Sequence, residues 1–341
     1  MAEDVYGGIS PFIPGTRIQY VWDSTSLGML KTCARLYQYQ MIEGWTTRHA
    51  SVHLKFGILY HSALERFDRL RADGLSYEDA VRGTVRTLLE STWERADASH
   101  DPAGVEIPAR SAPWESGDSY KNRATLLRSV IWYLTEFKDD PAATIRLANG
   151  KPAVELSFKM ELDYGPSLAY LDYSSGGSGM VAPSQPYILS GHIDRLVMFQ
   201  GGVYVTDRKT TKSALGSHYF DQYTPDNQMT LYSLAAQVVY HAPVKGVIID
   251  AVQIGVGFAR FGRGFAYRTP AQLDEWLADT RIRLREAEGY ATDHYWPQND
   301  KACSMYGGCP FREVCNKDPS VRKNFLAGNF EKNYWNPRKQ R

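Results

Sequence analysis

Two strand-like segments on either side of Gly201-Gly202 constrain the fold most, because they predict a β-hairpin that carries acidic and basic side chains. In the first segment aliphatic residues surround Asp194, and in the second valines alternate with other residues before Asp207. Lys209 follows Asp207 by two residues, so both side chains are expected on one face of the strand. Two carboxylates so placed can bind hard divalent cations through oxygen, and the lysine can stabilise charge on a phosphate. An ordinary hairpin with surface charges explains the D-x-K pattern alone at least as well.

Further short motifs stand along the chain around this hairpin. In chain order the set is Gly57-x-x-x-His61, Glu155 in a predicted strand, Gly191-x-x-Asp194, Asp207-x-Lys209 and Gln228-x-x-x-Tyr232. Together these motifs resemble the PD-(D/E)XK nuclease superfamily, specifically its RecB-like branch. The resemblance spans residues 57–232 and implies an α/β, restriction-endonuclease-like fold in which helices flank a mixed sheet.

The resemblance also implies a role for each motif residue. The ligands of a Mg²⁺ or Mn²⁺ ion would be His61, Asp194, Asp207 and the backbone carbonyl of Arg208. Lys209 would be catalytic, with Glu155 as a weaker candidate in the outer shell of the metal. Gln228 and Tyr232 would contact the substrate. Taken alone, His61 is more simply a helix histidine with a core partner.

The chain has four cysteines, and the last three fall within thirteen residues: Cys33, Cys303, Cys309 and Cys315. The acidic N-terminus lacks the apolar segment of a secretory signal, so disulfides are not expected. Four thiolates suit either zinc or an iron-sulfur cluster. One distant cysteine followed by three clustered ones resembles the nucleases with an iron staple, such as AddB-type nuclease domains, CRISPR-associated RecB-like exonucleases and phage exonucleases.

That resemblance implies a [4Fe-4S] cluster held by all four cysteines, with structural Zn²⁺ as the alternative. The chain departs from the family pattern in one spacing. Five residues separate Cys303 from Cys309, whereas many members have two at this point. Gly307 and Gly308 predict a turn that accommodates the longer loop.

Hydrophobic periodicity, caps and prolines predict the remaining elements. Helices are expected from about residue 24 through Cys33 and over 57–73, 77–95, 119–138, 225–240 and 270–288, strands over 154–162, 187–209, 244–257 and 264–268, and loops over 98–117 and 165–186. We therefore expect one nuclease domain made of an N-terminal part (1–65), a helical insert (66–150) that could roof the active site, a catalytic core (151–290) and a cysteine cluster with a basic tail (291–341).

Composition narrows the class of protein but does not indicate its substrate. The chain has 341 residues, 43% of them hydrophobic, which is enough for one large core. No apolar run reaches the length of a membrane span, so we expect a cytoplasmic protein of cellular or phage origin. Because the net charge is only +1, DNA would need a local basic channel. Its candidate members are the cations Arg35, Arg208, Lys212, Arg260 and Arg263 and the stacking residues Tyr37 and Tyr232.

The resulting hypothesis is a metal-dependent DNA exonuclease that acts on single-stranded ends in replication, recombination or repair. The chain has no P-loop or helicase motif, so any unwinding motor would be a separate helicase or recombination partner. The alternatives are a non-catalytic DNA-binding or assembly subunit, a structure-specific endonuclease, and a zinc-stabilised hydrolase of other substrates. The intact set of His61, Asp194, Asp207 and Lys209 favours an enzyme over a non-catalytic subunit.

Overall fold

The computed structural model describes residues 6–48, 51–96, 99–100, 106–107, 110–162, 170–171, 180–181 and 186–339. Most of the predicted loop at 165–186 and part of the predicted loop at 98–117 lie outside these residues. The described strands are β1 (Val21–Trp22), β2 (Trp45–Thr47), β3 (Trp93–Ala96), β4 (Ser99–His100), β5 (Glu106–Ile107), β6 (Arg110–Pro113), β7 (Ala143–Thr144), β8 (Val154–Glu161), β9 (Tyr170–Leu171), β10 (Met180–Val181), β11 (Ile188–Phe199), β12 (Gly202–Thr211), β13 (Val244–Ile254), β14 (Ala259–Ala266) and β15 (Phe330–Lys332).

Helices occupy much of the remaining described chain. They are α1 (Ser24–Thr32), α2 (Ala34–Tyr37), α3 (Val52–Ala72), α4 (Tyr77–Ser91), α5 (Arg123–Glu136), α6 (Ser217–Asp221), α7 (Asn227–Tyr240), α8 (Pro270–Thr292), α9 (Arg312–Cys315) and α10 (Pro319–Asn329), with a π-helix at Gln38–Ile42 and a 3₁₀ helix at Asp300–Gly307. None of the described helices has the length and apolar character that crossing a membrane requires.

A seven-stranded sheet contains strands that run in both directions. β11 and β12 form the predicted hairpin, β12 pairs in parallel with β13, and β13 pairs antiparallel with β14. β1, β7 and β8 all pair with β11. The sheet is therefore mixed and flanked by helices, which confirms the predicted fold class.

The hairpin turn lies one residue earlier than predicted. Gln200 and Gly201 have φ values of 46° and 71°, whereas Gly202 is already paired with Phe199. Two consecutive left-handed residues give a two-residue turn whose twist matches that of the strands.

The β8 ladder of β11 ends just before Asp194, and the β12 ladder, on the opposite edge of the strand, begins just after it. Residues 188–193 of β11 pair with β8, and residues 195–199 pair with β12. Asp194 lies between the two ladders, so its side chain can meet groups from more than one element.

Helices cover both faces of the sheet. Ile249 of β13 lies in a core shared with α7, whereas Val252 of β13 lies in a core shared with α3, α4 and α5. Successive strand residues point to opposite faces, so these two cores are on opposite sides of the sheet. The predicted helical insert is thus largely a packed layer. Its segment before α5 reaches the end of β12, where Lys121 Nζ donates to Thr210 Oγ1 at 2.8 Å and Lys212 pairs with Asp118 at 2.8 Å.

Several predicted boundaries are wrong, for local reasons. The helix predicted from 57 starts at Val52, because Ser51 caps it, and the helix predicted over 77–95 ends at Ser91 before β3. Within the predicted loop at 98–117, β6 pairs antiparallel with β3. The helix predicted to end before Gly289 continues to Thr292, and the last strand of the sheet is β14 rather than 264–268.

The two ends of the described chain meet on one side of the molecule. The amide of Arg35 donates to Pro297 O at 3.0 Å, and β2 pairs with β15. This contact brings the segment of Cys33 to the segment that carries the other cysteines.

Candidate active site

Asp194 receives hydrogen bonds from two different elements. Its Oδ2 accepts from the backbone N–H of Arg208 on β12 at 2.8 Å, and Nδ1 of His61 on α3 lies 3.3 Å from the same oxygen. Asp194 is buried, and His61 is only partly exposed. The carboxylate of Asp194 therefore lies between a strand and a helix.

His61, Glu155 and Asp194 form the candidate metal cluster. One ligand atom from each residue lies within 4.8 Å of the other two. Glu155 has a φ of 49°, in the left-handed region that a glutamate seldom adopts. Such a conformation costs about 1 to 3 kcal/mol and typically persists where function requires it. The structure thus gives Glu155 a more direct position than the outer shell expected from the sequence.

Asp207 and Lys209 form a second pair beside this cluster. Lys209 Nζ lies 2.8 Å from Asp207 Oδ2 and donates to Gln228 Oε1 at 2.7 Å. Gln228 in turn donates to the hydroxyl of Tyr232 at 2.9 Å. Asp226 caps α7 and fixes the start of the helix that carries both partners. The lysine is therefore held between a carboxylate and an amide.

Gly191 allows α7 to approach the sheet closely. A Cβ at this position would lie 2.8 Å from the ring of Phe158 and 3.4 Å from the ring of Tyr232. A larger residue would push Tyr232 away and disturb the chain of contacts that ends at Lys209.

Charge pairing sets the protonation of the acidic and basic groups. Burial opposes ionisation of Asp194, but the charge and hydrogen bond of His61 and the N–H of Arg208 outweigh it, so its pKa lies well below the usual range. Burial raises the pKa of Asp207 to about 6, against the opposing charge of Lys209. Burial lowers the pKa of His61 and of Lys209, yet their carboxylate partners outweigh it and both values are raised. Lys209 is therefore a cation at neutral pH and cannot act as a general base.

A comparison with protein-family models identifies the family of this chain. The model of the PD-(D/E)XK nuclease superfamily matches residues 24–316. The chain belongs to this superfamily. Its members are deoxyribonucleases that hydrolyse phosphodiester bonds with divalent metals such as Mg²⁺ or Mn²⁺, and the arrangement described above is the candidate active site of this nuclease.

Two solved structures resemble the nuclease at low identity. A proposed exonuclease from Eubacterium rectale has 9% identity and a TM-score of 0.44, over 89% of this chain and 92% of that chain. The structure of SSO0001 has 11% identity and a TM-score of 0.30, over 77% of this chain and 76% of that chain. No curated protein sequence matches the chain.

The donor atoms of the cluster fit such a metal. Carboxylate oxygens are the preferred ligands of Mg²⁺ and Mn²⁺, and Glu155 and Asp194 supply them here, with the imidazole of His61 as a third donor. Asp207 lies outside the three-residue group and faces Lys209 instead. Its role as a ligand, like that of the Arg208 carbonyl, remains a prediction.

Several predicted DNA contacts are wrong, because the side chains are buried. Tyr37 is 0% exposed and stacks on Trp22 with ring centroids 5.4 Å apart. Arg35 is buried, and its Nε donates to Trp296 O at 2.7 Å. Tyr232 is also buried, at 6% exposure, so it is not available for stacking on a base.

The other predicted cations divide into two groups. Arg208 and Arg263 are held in ion pairs with Asp68 and Asp140, at 2.5 Å and 2.7 Å respectively, so the prediction that they bind DNA is wrong for these side chains. Lys212 also forms an ion pair, with Asp118, but its side chain and that of Arg260 are exposed. Lys212 lies over the ring of Tyr120 at 5.0 Å, which puts an exposed cation and an exposed aromatic side by side near the end of β12.

The sequence interpretation missed Asp68, although a signal was present. Asp68 follows His61 by seven residues, two helical turns, and so lies on the same side of α3. It contacts both Arg195 and Arg208, which are neighbours of the site residues in the chain.

None of the four cysteines, all of which lie in the described part of the chain, forms a disulfide. Cys33 Sγ accepts from the amide of Asn299 at 3.3 Å, and the amide of Cys309 donates to Cys303 O at 3.0 Å. Gly307 and Gly308 have φ values of 88° and 104°, consistent with the predicted turn.

The thiols also influence each other's ionisation. Burial raises the pKa of Cys309, and the neighbouring Cys303 and Cys33 raise it further. Burial raises the pKa of Cys315 as well, although Arg35 opposes this effect. The cysteines of the two chain ends are therefore close enough to interact electrostatically.

Proposed function

We propose that this nuclease is a Mg²⁺- or Mn²⁺-dependent exonuclease of the RecB-like branch that acts on single-stranded DNA ends. The observation that carries the proposal is the convergence of His61, Glu155 and Asp194 within 4.8 Å, next to a lysine that two neighbours hold in place. These groups are the chemical minimum for metal-assisted hydrolysis of a phosphodiester.

The protein groups divide the chemistry between them. A divalent cation held by His61, Glu155 and Asp194 would supply Lewis acidity at the phosphate and lower the pKa of water. Lys209 is protonated, so it stabilises the negative charge that grows on the phosphate oxygens. Asp207 and Gln228 orient its ammonium group, which limits the reorganisation needed in the transition state.

The preference for single-stranded ends is supported by the surroundings of β12. The segment of the insert that contains Asp118 and Lys121 is fixed to Lys212 and Thr210 at 2.8 Å each, immediately after Lys209 in the chain. One side of the site is therefore walled by the insert. A site with a wall on one side admits a thin single strand more readily than a duplex. The exposed side chains of Lys212 and Tyr120 offer a single strand a cation for its phosphates and an aromatic ring for its bases.

The activity test compares linear and circular single-stranded DNA of the same sequence, with Mg²⁺, Mn²⁺ or EDTA. We expect progressive shortening of the linear strand, little cutting of the circle, and no cleavage in EDTA. The matched control is Asp194→Asn, which keeps the shape of the side chain and removes its charge. Equal rates on circles and linear strands would contradict an exonuclease, and full activity of Asp194→Asn would contradict the metal site.

We also infer that the four cysteines hold a [4Fe-4S] cluster rather than zinc. Cys33 Sγ accepts from the amide of Asn299, four residues before Cys303, so the first cysteine lies beside the segment that carries the other three. This proximity supports one site shared by all four thiolates, and four thiolates are the ligand set of a [4Fe-4S] cluster.

Metal analysis tests this inference. Protein purified without oxygen should contain iron and absorb visible light, with little zinc. Stoichiometric zinc without iron would overturn the assignment. A cytoplasmic location and a separate helicase or recombination partner remain part of the same proposal.

A further inference from the structure

Asp68 is a buried carboxylate of α3 that bridges two arginines from different strands. Its Oδ1 lies 3.3 Å from Nη1 of Arg195 on β11, and its Oδ2 lies 2.5 Å from Nη2 of Arg208 on β12. The side-chain exposures are 6% for Asp68, 9% for Arg195 and 2% for Arg208. One carboxylate thus ties a helix to both strands of the active-site hairpin.

Both arginines adjoin site residues in the chain. Arg195 directly follows Asp194, and Arg208 lies between Asp207 and Lys209. The backbone N–H of Arg208 donates to Asp194 Oδ2 at 2.8 Å, so a shift of the Arg208 peptide would move the candidate metal ligand as well. The helix that supplies Asp68 also supplies His61, two turns earlier.

We infer that Asp68 is a positioning residue that fixes the distance between His61 and Asp194, and thereby the affinity of the nuclease for its metal. The inference rests on the proposed metal site. A buried ion pair is by itself weak evidence for stability, because desolvation offsets much of the attraction between the charges. The ion pair can still fix the geometry of the site. Replacing residues that contact metal ligands commonly changes the affinity for the metal.

Asp140 provides a matched control for substitutions at Asp68. Asp140 holds Arg263 through two bonds of 2.7 Å, and its side chain is 12% exposed. Asp68 and Asp140 line the same cavity, but Arg263 is not adjacent in the chain to any candidate ligand. A substitution at Asp140 therefore removes a largely buried carboxylate whose ion pair is with Arg263 and not with either arginine of the active-site hairpin.

The test measures Mn²⁺ binding by calorimetry, which does not depend on catalysis, together with urea unfolding and cleavage rates. Asp68→Asn should weaken Mn²⁺ binding about 10- to 100-fold, as replacements behind metal ligands typically do. Asp140→Asn should lose stability to a similar degree but keep its Mn²⁺ affinity within about twofold of the wild type, since no ligand depends on it. Asp68→Glu keeps the charge and should recover part of the affinity.

Equal Mn²⁺ affinity in Asp68→Asn and wild type would overturn the inference while leaving the proposed metal site intact. Absence of Mn²⁺ binding in the wild type would instead overturn the proposed function, and this inference with it. If Asp68→Asn does not fold, Arg195→Gln takes its place, because the shorter contact between Asp68 and Arg208 survives in that variant. Arg195→Gln should then weaken Mn²⁺ binding severalfold, and unchanged affinity would overturn the inference.

Discussion

Replacing Gln228 with leucine tests how Lys209, the candidate catalytic lysine, is held. The side-chain carbonyl of Gln228 accepts from Lys209 Nζ at 2.7 Å, and its amide donates to the Tyr232 hydroxyl at 2.9 Å. Leucine has a similar size but offers no acceptor. In Gln228→Leu the ammonium group would keep Asp207 as its partner but lose the contact that restrains its direction.

The size of the effect follows from the strength of that contact. A hydrogen bond to a charged group contributes about 1.5 to 3 kcal/mol, and about 1.4 kcal/mol corresponds to a factor of ten in rate. Gln228→Leu should therefore lower kcat about 10- to 100-fold with little change in KM. Tyr232→Phe is the matched control, because it removes a neutral hydroxyl that touches Gln228 but not Lys209. Its expected loss is about 2- to 10-fold.

Single-turnover cleavage of labelled linear single-stranded DNA at saturating Mn²⁺ separates the two roles that Gln228 could have. A positioning role lowers the rate of the chemical step, whereas a substrate contact raises the DNA concentration needed for half-maximal rate. A raised KM with unchanged kcat would refute the positioning role and restore the substrate contact expected from the sequence. Melting temperatures close to that of the wild type would show that both variants fold.

Three more predictions follow from the site and the cysteines. Glu155→Gly and Glu155→Ala should both lose Mn²⁺ binding, but the glycine variant should have a free energy of unfolding about 1 kcal/mol higher, since only glycine adopts a φ of 49° without strain. Equal free energies of unfolding of the two variants in urea would contradict backbone strain at residue 155. Mn²⁺ affinity should fall by up to about tenfold per pH unit below the raised pKa of His61, because a proton and the metal compete for its nitrogen. Calorimetry across that pH range measures the Mn²⁺ affinity. An affinity that does not change with pH would argue against His61 as a ligand. Cys33→Ser should lose iron and lower the melting temperature, because a link between Cys33 and Cys303, 270 residues apart, stabilises the fold by about 5 to 6 kcal/mol in the disulfide analogy. Unchanged iron content would exclude Cys33 as a ligand.

The hairpin could be predicted from the sequence because its determinants are local. A strand period of two placed Asp207 and Lys209 on one face, and their contact of 2.8 Å confirms that placement. The importance of Glu155 was underestimated because its position depends on features that are not local in the sequence. Its carboxylate belongs to the cluster at a left-handed φ, which the residue pattern of a strand does not encode.

The wrong DNA contacts show what composition cannot predict. Arg35 and Tyr37 look like members of a basic, aromatic surface, but Trp296 and Trp22 cover them from distant and nearby parts of the chain. Burial of this kind depends on tertiary packing, which a local pattern does not reveal. Asp68 was overlooked because its arginine partners lie far along the chain, even though its spacing from His61 was visible.

The hairpin tip offers a place to attach other protein modules. Gln200 and Gly201 are exposed, and Phe199 at the base of the turn is the fifth residue after Asp194. At about 3.4 Å per residue, the base of the turn is roughly 17 Å along the strand from Asp194, which would hold the metal. Exposed turns tolerate insertions best. An affinity peptide or a small fluorescent domain placed between Gln200 and Gly201 should therefore report on the nuclease without contacting the candidate metal cluster, and natural fusions at this point would be equally harmless.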